Sequence, residues 1–206
     1  VEYGKVNFSA TTLVYYNDVW YYVENGVLNW NSDTLVYFYD NWYYTYGGTV
    51  AWDFTGIVEF CGKVYLVENG VLNWNYTGFI ELEDMYKVKH KLSELDGKVV
   101  LLYFWTLESA LCNNINAELK ELYAKYHDKG FEVYHISADS DISLWIEVVR
   151  QQQHPWISVF GSGGVDVFSL YNVVKLPTAY LIDRNGDMSV APLSMSALER
   201  ELNRVL

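Results

Sequence analysis

The sequence predicts two domains of different class: an all-β array of hairpin repeats over residues 1–78, and an α/β domain with a central mixed sheet and flanking helices over 79–206. Three observations carry that expectation. Residues 1–78 hold five of the eight Trp and 12 of the 19 Tyr, only Lys5 and Lys63 as basic residues, and no proline. Within them one pattern recurs every 22 residues. Beyond them, buried-strand runs alternate with amphipathic helices, the order that builds a sheet covered by helices. The shift in composition falls near Thr77–Phe79 with no Pro- or Ser-rich linker, so the two parts are expected to abut.

The repeat shows first as the nonapeptide VENGVLNWN, at Val23–Asn31 and again at Val67–Asn75. That separation of 44 halves to units 5–26, 27–48 and 49–70, with a partial copy at 71–78. Each copy has an aromatic at its fourth place (Phe8, Trp30, Trp52, Trp74), then an apolar pair (Leu13-Val14, Leu35-Val36, Ile57-Val58), and a second one (Trp20-Tyr21, Trp42-Tyr43, Val64-Tyr65). Each full unit closes on Gly. Two short strands per unit are expected, with turns at Asn17-Asp18, Asp40-Asn41 and Cys61-Gly62, and at Asn25-Gly26, Gly47-Gly48 and Asn69-Gly70. Asn-Gly marks a hairpin because both central residues of its turn need positive φ. One 22-residue hairpin cannot bury its aromatic face alone, so the copies must stack.

In the second part Val99–Trp105 is a continuous apolar run suited to a buried strand. Asn116–His127 is an amphipathic helix with Leu119, Leu122, Tyr123 and Tyr126 on one face, ended by Gly130. Phe131–Ala138 reads as a second buried strand and Ser143–Gln152 as a second helix. Phe168–Val174 reads as a short helix, Thr178–Asp183 as a strand, Asp183–Asp187 as a turn, Met188–Pro192 as the returning strand, and Ser196–Leu206 as the closing helix.

Residue identities go further. Gly97–Trp105, then ELKELYAKYHDKG at Glu118–Gly130, FEVYHISAD at Phe131–Asp139 and LYNVVKLPTAYLIDRNG at Leu170–Gly186 resemble the TlpA/ResA-like thiol–disulfide oxidoreductases of the thioredoxin-like, AhpC/TSA superfamily. The resemblance covers about Phe79–Leu206. It implies a thioredoxin-type fold, an extracytoplasmic location and a cis bond before Pro177, beside the active site. The W-Y-Y-V-x-N-G segment at Trp20–Gly26 resembles the aromatic repeats of Gram-positive surface proteins of the cell-wall or choline-binding type. By that resemblance Trp20, Trp30, Trp42, Trp52 and Trp74 are candidate ligand-binding aromatics for a sugar ring or quaternary amine, with cell-wall polysaccharide as partner. The same aromatics also suit the core of a β-repeat spacer, and no Gly precedes a Trp, as it does in many binding repeats of that type.

In the oxidoreductases the strand ending Phe-Trp runs into W-C-x-x-C at a helix N-terminus, where dipole and free N–H groups lower the pKa of the first Cys. Aligned from Phe104-Trp105, the attacking position is Ser109, the residue before it is Glu108, and Cys112 alone holds the resolving position. A serine hydroxyl has no accessible alkoxide at neutral pH, so a dithiol cycle within the segment is not available. The candidate site is therefore a degenerate one of Cys112, Ser109 and Pro177, with an extended peptide or a protein thiol or disulfide partner as its ligand. Three readings of Cys112 stay open: a buried small apolar residue, a monothiol nucleophile, or a peroxidatic cysteine of the T/S-x-x-C kind. Against the last, Trp105 stands where peroxidases of that kind carry Pro, and Pro177 roughly where they carry Arg. A Cys61–Cys112 bond is a fourth possibility.

The other signals are negative. The four His have no metal-ligand spacing, and each reads as a solvent or strand residue; Asp139, Asp141 and Asp183 read as caps at strand ends and turns. Gly161–Gly164 lacks the context of a phosphate loop. No metal or cofactor is expected. With 14 basic against 26 acidic residues and a net charge of −12, nucleic acid is not an expected partner. No apolar stretch reaches the roughly 20 residues of a membrane span. The chain opens on Val1 with no charged-then-apolar leader, as expected of a mature chain.

Overall fold

A computed structural model describes residues 9–73, 80–162 and 166–206. Outside them lie the start of the first repeat copy, Trp74 and the rest of the partial copy, the expected boundary at Thr77–Phe79, and Gly163 and Gly164 of the glycine-rich loop. The described residues divide between two compact units, one from within 1–61 and 65–74, the other from 62–64 and within 75–206.

In the first unit the 22-residue period becomes a hairpin plus a short third strand. Strand β1 (Thr12–Tyr16) turns through Asn17 and Asp18, both at positive φ, into β2 (Val19–Glu24), and Asn25-Gly26 leads to β3 (Val27–Leu28), which folds back on β2. The next hairpin is β4 (Asp33–Phe38) and β5 (Asn41–Tyr46), followed by β6 (Thr49–Val50), and the third is β7 (Gly56–Phe60) and β8 (Lys63–Glu68), followed by β9 (Val71–Asn73), so that β3, β6 and β9 each open the next 22-residue copy. Two strands per unit is thus too few, because Val23 and Glu24 at the end of the hairpin pair with Leu28 and Val27. The middle hairpin turns at Tyr39-Asp40, not Asp40-Asn41: Asn41 faces Phe38 as the closing pair, which leaves Tyr39 at φ 43 and Asp40 at φ 64 between them. Register, not the preference of Asn for turns, decides.

Successive copies are joined by the same bond. Tyr22 N–H donates to Gly48 O and Tyr44 N–H to Gly70 O, both at 2.9 Å, so the second strand of each hairpin receives the short strand that follows the next hairpin. Leu13, Tyr22 and Val50 are buried in one core cluster and Leu35, Tyr44 and Leu72 in the next, the same positions 22 residues on. In both nonapeptides the Asn side chain donates to the Glu carboxylate at 2.8 Å (Asn29 to Glu24, Asn73 to Glu68).

The second unit opens with the hairpin β10 (Glu81–Glu83) and β11 (Lys89–Lys91) and a 3-10 turn at Leu92–Leu95. Its main sheet centres on β12 (Val99–Trp105) and β13 (Phe131–Ser137), parallel and buried at every residue. Strand β14 (Ile157–Phe160) runs parallel to β13 on one side; β15 (Thr178–Ile182) pairs antiparallel with β12 on the other, and β16 (Met188–Val190) with β15. Helices α1 (Ala110–Tyr126), α2 (Ile142–Gln152), α3 (Val167–Leu170) and α4 (Met195–Val205) complete it.

The predicted apolar face of α1, with Leu119, Leu122, Tyr123 and Tyr126, is buried. The helix starts six residues before Asn116 because Ser109 caps it. Helix α3 stops at Leu170, short of Val174, where Asn172 takes positive φ. Strand β14 has no counterpart in the sequence reading: it is four residues long, follows Pro155, and carries the polar Ser158 in its middle.

Candidate functional site

The loop from β12 into α1 is held from three sides. The Asp139 carboxylate accepts from Thr106 Oγ1 at 2.7 Å, from Leu107 N–H at 3.1 Å and from Ser137 Oγ at 2.6 Å. Asn113 Nδ2 donates to Leu107 O at 3.1 Å. Ser109, extended at φ −89, accepts the Cys112 N–H on its Oγ at 3.3 Å, an N-cap that satisfies one of the free donors of the first turn. Its hydroxyl serves the helix at the place where a dithiol site would present its nucleophile.

Pro177 arrives at the same end of the sheet. Phe104 faces Thr178 across β12 and β15, so Pro177 sits opposite the end of β12, where the loop to Ser109 departs. The Leu176–Pro177 bond is cis, as the resemblance implies. Ser109, Cys112, Asp139 and Pro177 are thus brought to one edge. Asp139 therefore clamps the loop instead of capping a helix, whereas Asp141 does cap α2.

Cys112 has no solvent exposure and packs with Tyr103, Trp105, Ile115 and Leu119. Burial, then the neighbouring thiol, pushes the Tyr103 hydroxyl far above its ordinary pKa. Cys61 is exposed at a positive-φ turn position, and both thiols are free, so the Cys61–Cys112 bond is not formed.

Of the histidines read as strand or solvent residues, His135 is indeed on β13, but buried, whereas His154 lies outside any strand and is half-buried. His135 is fully buried and stacks on Trp105 with ring centroids 4.4 Å apart. His154 stacks on Trp156 at 5.1 Å. Burial holds His135 well below the usual imidazole pKa; burial and then the Lys120 charge lower His154 to about 4. The signal was there: His135 follows Phe131 and Val133 at the strand period, on the face those residues bury. Among the described residues no three His, Cys, Asp or Glu side chains lie close enough to hold a metal ion.

The repeat Trp side chains fall into two classes. Trp20 and Trp42 are partly buried against the repeat cores. Trp30 and Trp52 are 61% and 47% exposed, each edge-on to a tyrosine of the preceding copy, Tyr21 and Tyr43. Trp74 lies outside the described residues. Among the described residues no helix is long and apolar enough to cross a membrane.

Comparison with known proteins matches residues 79–191 to the AhpC/TSA family and residues 9–29 to a choline-binding repeat. A thiol-disulfide oxidoreductase ResA from Bacillus thuringiensis subsp. konkukian is 32% identical over 103 residues, which is 50% of this chain and 59% of that relative's length. The chain thus spans about three fifths of that relative. A thiol-disulfide oxidoreductase from Bacteroides fragilis superimposes with a TM-score of 0.55 at 25% identity, covering 63% of this chain and 98% of that one. The thioredoxin domain of a thiol-disulfide oxidoreductase from Bacteroides vulgatus superimposes with a TM-score of 0.56 at 24% identity, covering 62% and 93%. The second unit has the thioredoxin-like fold.

Proposed function

Because the chain belongs to the AhpC/TSA family, we propose that residues 79–206 are a thiol–disulfide oxidoreductase domain with a degenerate redox site. It acts outside the cytoplasm by binding an extended peptide beside Pro177 and Ser109. The observation that carries this reading is the state of the former dithiol: the first position is a serine whose hydroxyl caps α1, and the second is a thiol with no exposure. Thiol–disulfide exchange needs an accessible thiolate to attack and a second thiol to resolve the mixed disulfide. A monothiol or peroxidase reading of Cys112 needs the same access. This edge offers a partner two exposed apolar side chains, Leu111 in the first turn of α1 and Val174 on the way to Pro177, 56% and 84% exposed, beside the exposed charges of Glu108 and Lys175.

Insulin-disulfide reduction tests the proposal. The full chain is expected to show no turnover above background; rapid reduction that disappears in Cys112→Ala would overturn it.

A second reading rests on the exposed Trp30 and Trp52, one repeat apart in the same edge-on setting. They offer the repeats a stacking surface for a sugar ring or a quaternary amine, the ligand class of the choline-binding repeat matched at 9–29. Retention of the full chain on choline or cell-wall polysaccharide resin, lost in Trp30→Ala/Trp52→Ala, supports it. Equal retention of the double variant removes it.

A further inference from the structure

A chain of polar side chains crosses the core of the second unit behind α1. Asn113 Nδ2 lies 3.1 Å from Leu107 O, and Asn113 Oδ1 3.3 Å from Gln152 Nε2. Gln152 Oε1 lies 2.6 Å from His154 Nε2, and His154 Nδ1 3.2 Å from Ser158 Oγ. The same hydroxyl lies 3.3 Å from His135 Nδ1, and His135 Nε2 is 3.2 Å from the Asn116 carboxamide.

Donor and acceptor counting fixes the direction of every link. A carbonyl only accepts, so Leu107 O requires the NH₂ of Asn113, which turns the Asn113 oxygen to Gln152. Gln152 must answer with its NH₂ and present its oxygen to His154. His154 therefore carries its proton on Nε2 and offers a lone pair at Nδ1. The Ser158 hydroxyl donates there, and its oxygen accepts from His135 Nδ1–H. His135 Nε2 is left as an acceptor. Rotating the Asn116 carboxamide by half a turn brings Nδ2 to that nitrogen, and Nδ2 otherwise has no acceptor although it is buried. The opposite sense is blocked at 2.6 Å, where the His154 lone pair would face the Gln152 oxygen.

We propose that these six side chains form a one-way hydrogen-bond relay that positions the loop before Ser109 and locks His135 and His154 in opposite tautomers. It goes beyond the peptide-binding reading and stands without it. His135 is gripped between Tyr103 and Trp105, with centroids at 5.2 and 4.4 Å, so neither ring can turn without disturbing the wall around Cys112.

A proton added at His154 reverses half of the relay. Nδ1 becomes a donor, Ser158 turns to His135, and His135 moves its own proton to Nε2 and donates to Asn116 Oδ1. His135 stays neutral throughout, and the half that holds Leu107 is untouched. The charged and titratable groups around His154 are Lys120, whose ammonium donates to Gln152 O, the neighbouring His135, and Asp84, Tyr86, His90, Tyr123, His127 and Glu132, which line the same cavity of about 520 Å³.

Ring-nitrogen NMR of the uniformly ¹⁵N-labelled full chain at pH 7 tests the relay. The expected result is His135 protonated on Nδ1 and His154 on Nε2, each as a single tautomer. The same tautomer in both rings, or averaging in either, overturns the relay. In Ser158→Ala, His135 is expected to lose its single tautomer while His154 keeps its own; an unchanged His135 would overturn the link through Ser158. Gln152→Glu accepts from His154 but cannot donate to Asn113. Asn113 must then turn its NH₂ from Leu107 O to the new carboxylate, and the amides of the loop Thr106–Ser109 should exchange about tenfold faster, the loss of one ordinary hydrogen bond at Leu107 O. Unchanged exchange contradicts the positioning role. Should either variant fail to fold, the tautomers of the unsubstituted chain decide the question alone.

Discussion

His154 makes the thioredoxin-like unit sensitive to mild acid. An unfolded imidazole titrates near pH 6.5, and in the folded chain burial first, then the Lys120 charge, lower His154 to about 4. Between those values the unfolded state binds a proton that the folded state refuses, so stability falls as pH drops from about 6.5 and levels off near the folded value. A difference of about 2.5 units at 1.36 kcal/mol each is roughly 3 kcal/mol. Most of that loss, about 2 kcal/mol after allowing for the ring's partial exposure, is complete by about pH 4.5. The perturbation is His154→Gln, whose carboxamide can accept from Ser158 and donate to Gln152 as the neutral ring does, but cannot titrate. Hydrogen exchange of the β13 amides at pH 7 and 4.5, corrected for intrinsic rates, reads the stability of this unit. The unsubstituted chain should lose about 2 kcal/mol more than the variant between the two pH values. Equal losses would refute the reasoning, because His135 and the Asp84–His90 pair are present in both proteins.

Other consequences follow from the same geometry. Iodoacetamide should modify Cys61 in the native chain and Cys112 only after denaturant is added, read per cysteine by mass spectrometry, because one is exposed and the other is not. Gly62→Ala and Gly70→Ala both force a side chain onto positive φ, at 75° and 74°, at a cost of about 1 kcal/mol each. Gly70→Ala should cost clearly more in urea denaturation, since its Cβ would lie 2.7 Å from Ala51 O whereas Gly62 faces open space. Asp139→Ala removes the acceptor shared by Thr106, Leu107 and Ser137. It should destabilise the unit by roughly 2 kcal/mol or more and speed exchange of the Leu107 amide.

What could be read from the sequence was what repeats or runs. The 22-residue period places the buried Leu13 and Leu35 because equivalent hairpins must bury equivalent faces, but in the second strand the buried residues are Tyr22 and Tyr44, next to the expected Trp20-Tyr21 and Trp42-Tyr43. Val99–Trp105 announces a central strand because a strand covered on both faces has no polar position. The same logic explains the misses. Strand β14 is short and carries Ser158, which looks like a loop residue until His135 and His154 are seen to share its hydroxyl. The middle turn is displaced by one residue because cross-strand register outweighs the turn preference of Asn. The start of α1 is not marked by apolar periodicity, because its first turn is set by a cap, Ser109, that also stands at the attacking position of the oxidoreductase motif. Ser109 and Pro177 are legible through local motifs; the polar relay is not, since its side chains lie up to 45 residues apart (Asn113 to Ser158) and meet only through the parallel order of β12, β13 and β14.

On the proposed function, residues 79–206 keep a thioredoxin-like scaffold whose redox chemistry ended with the loss of one sulfur. Insulin reduction by Ser109→Cys, beside the unsubstituted chain, tests it most directly. The substitution restores a Cys-x-x-Cys pair at the N-terminus of α1, where the helix dipole favours a thiolate. The predicted result is turnover in the variant and none in the parent. Turnover in the parent, or none in a folded Ser109→Cys, would contradict the loss of redox chemistry at this site.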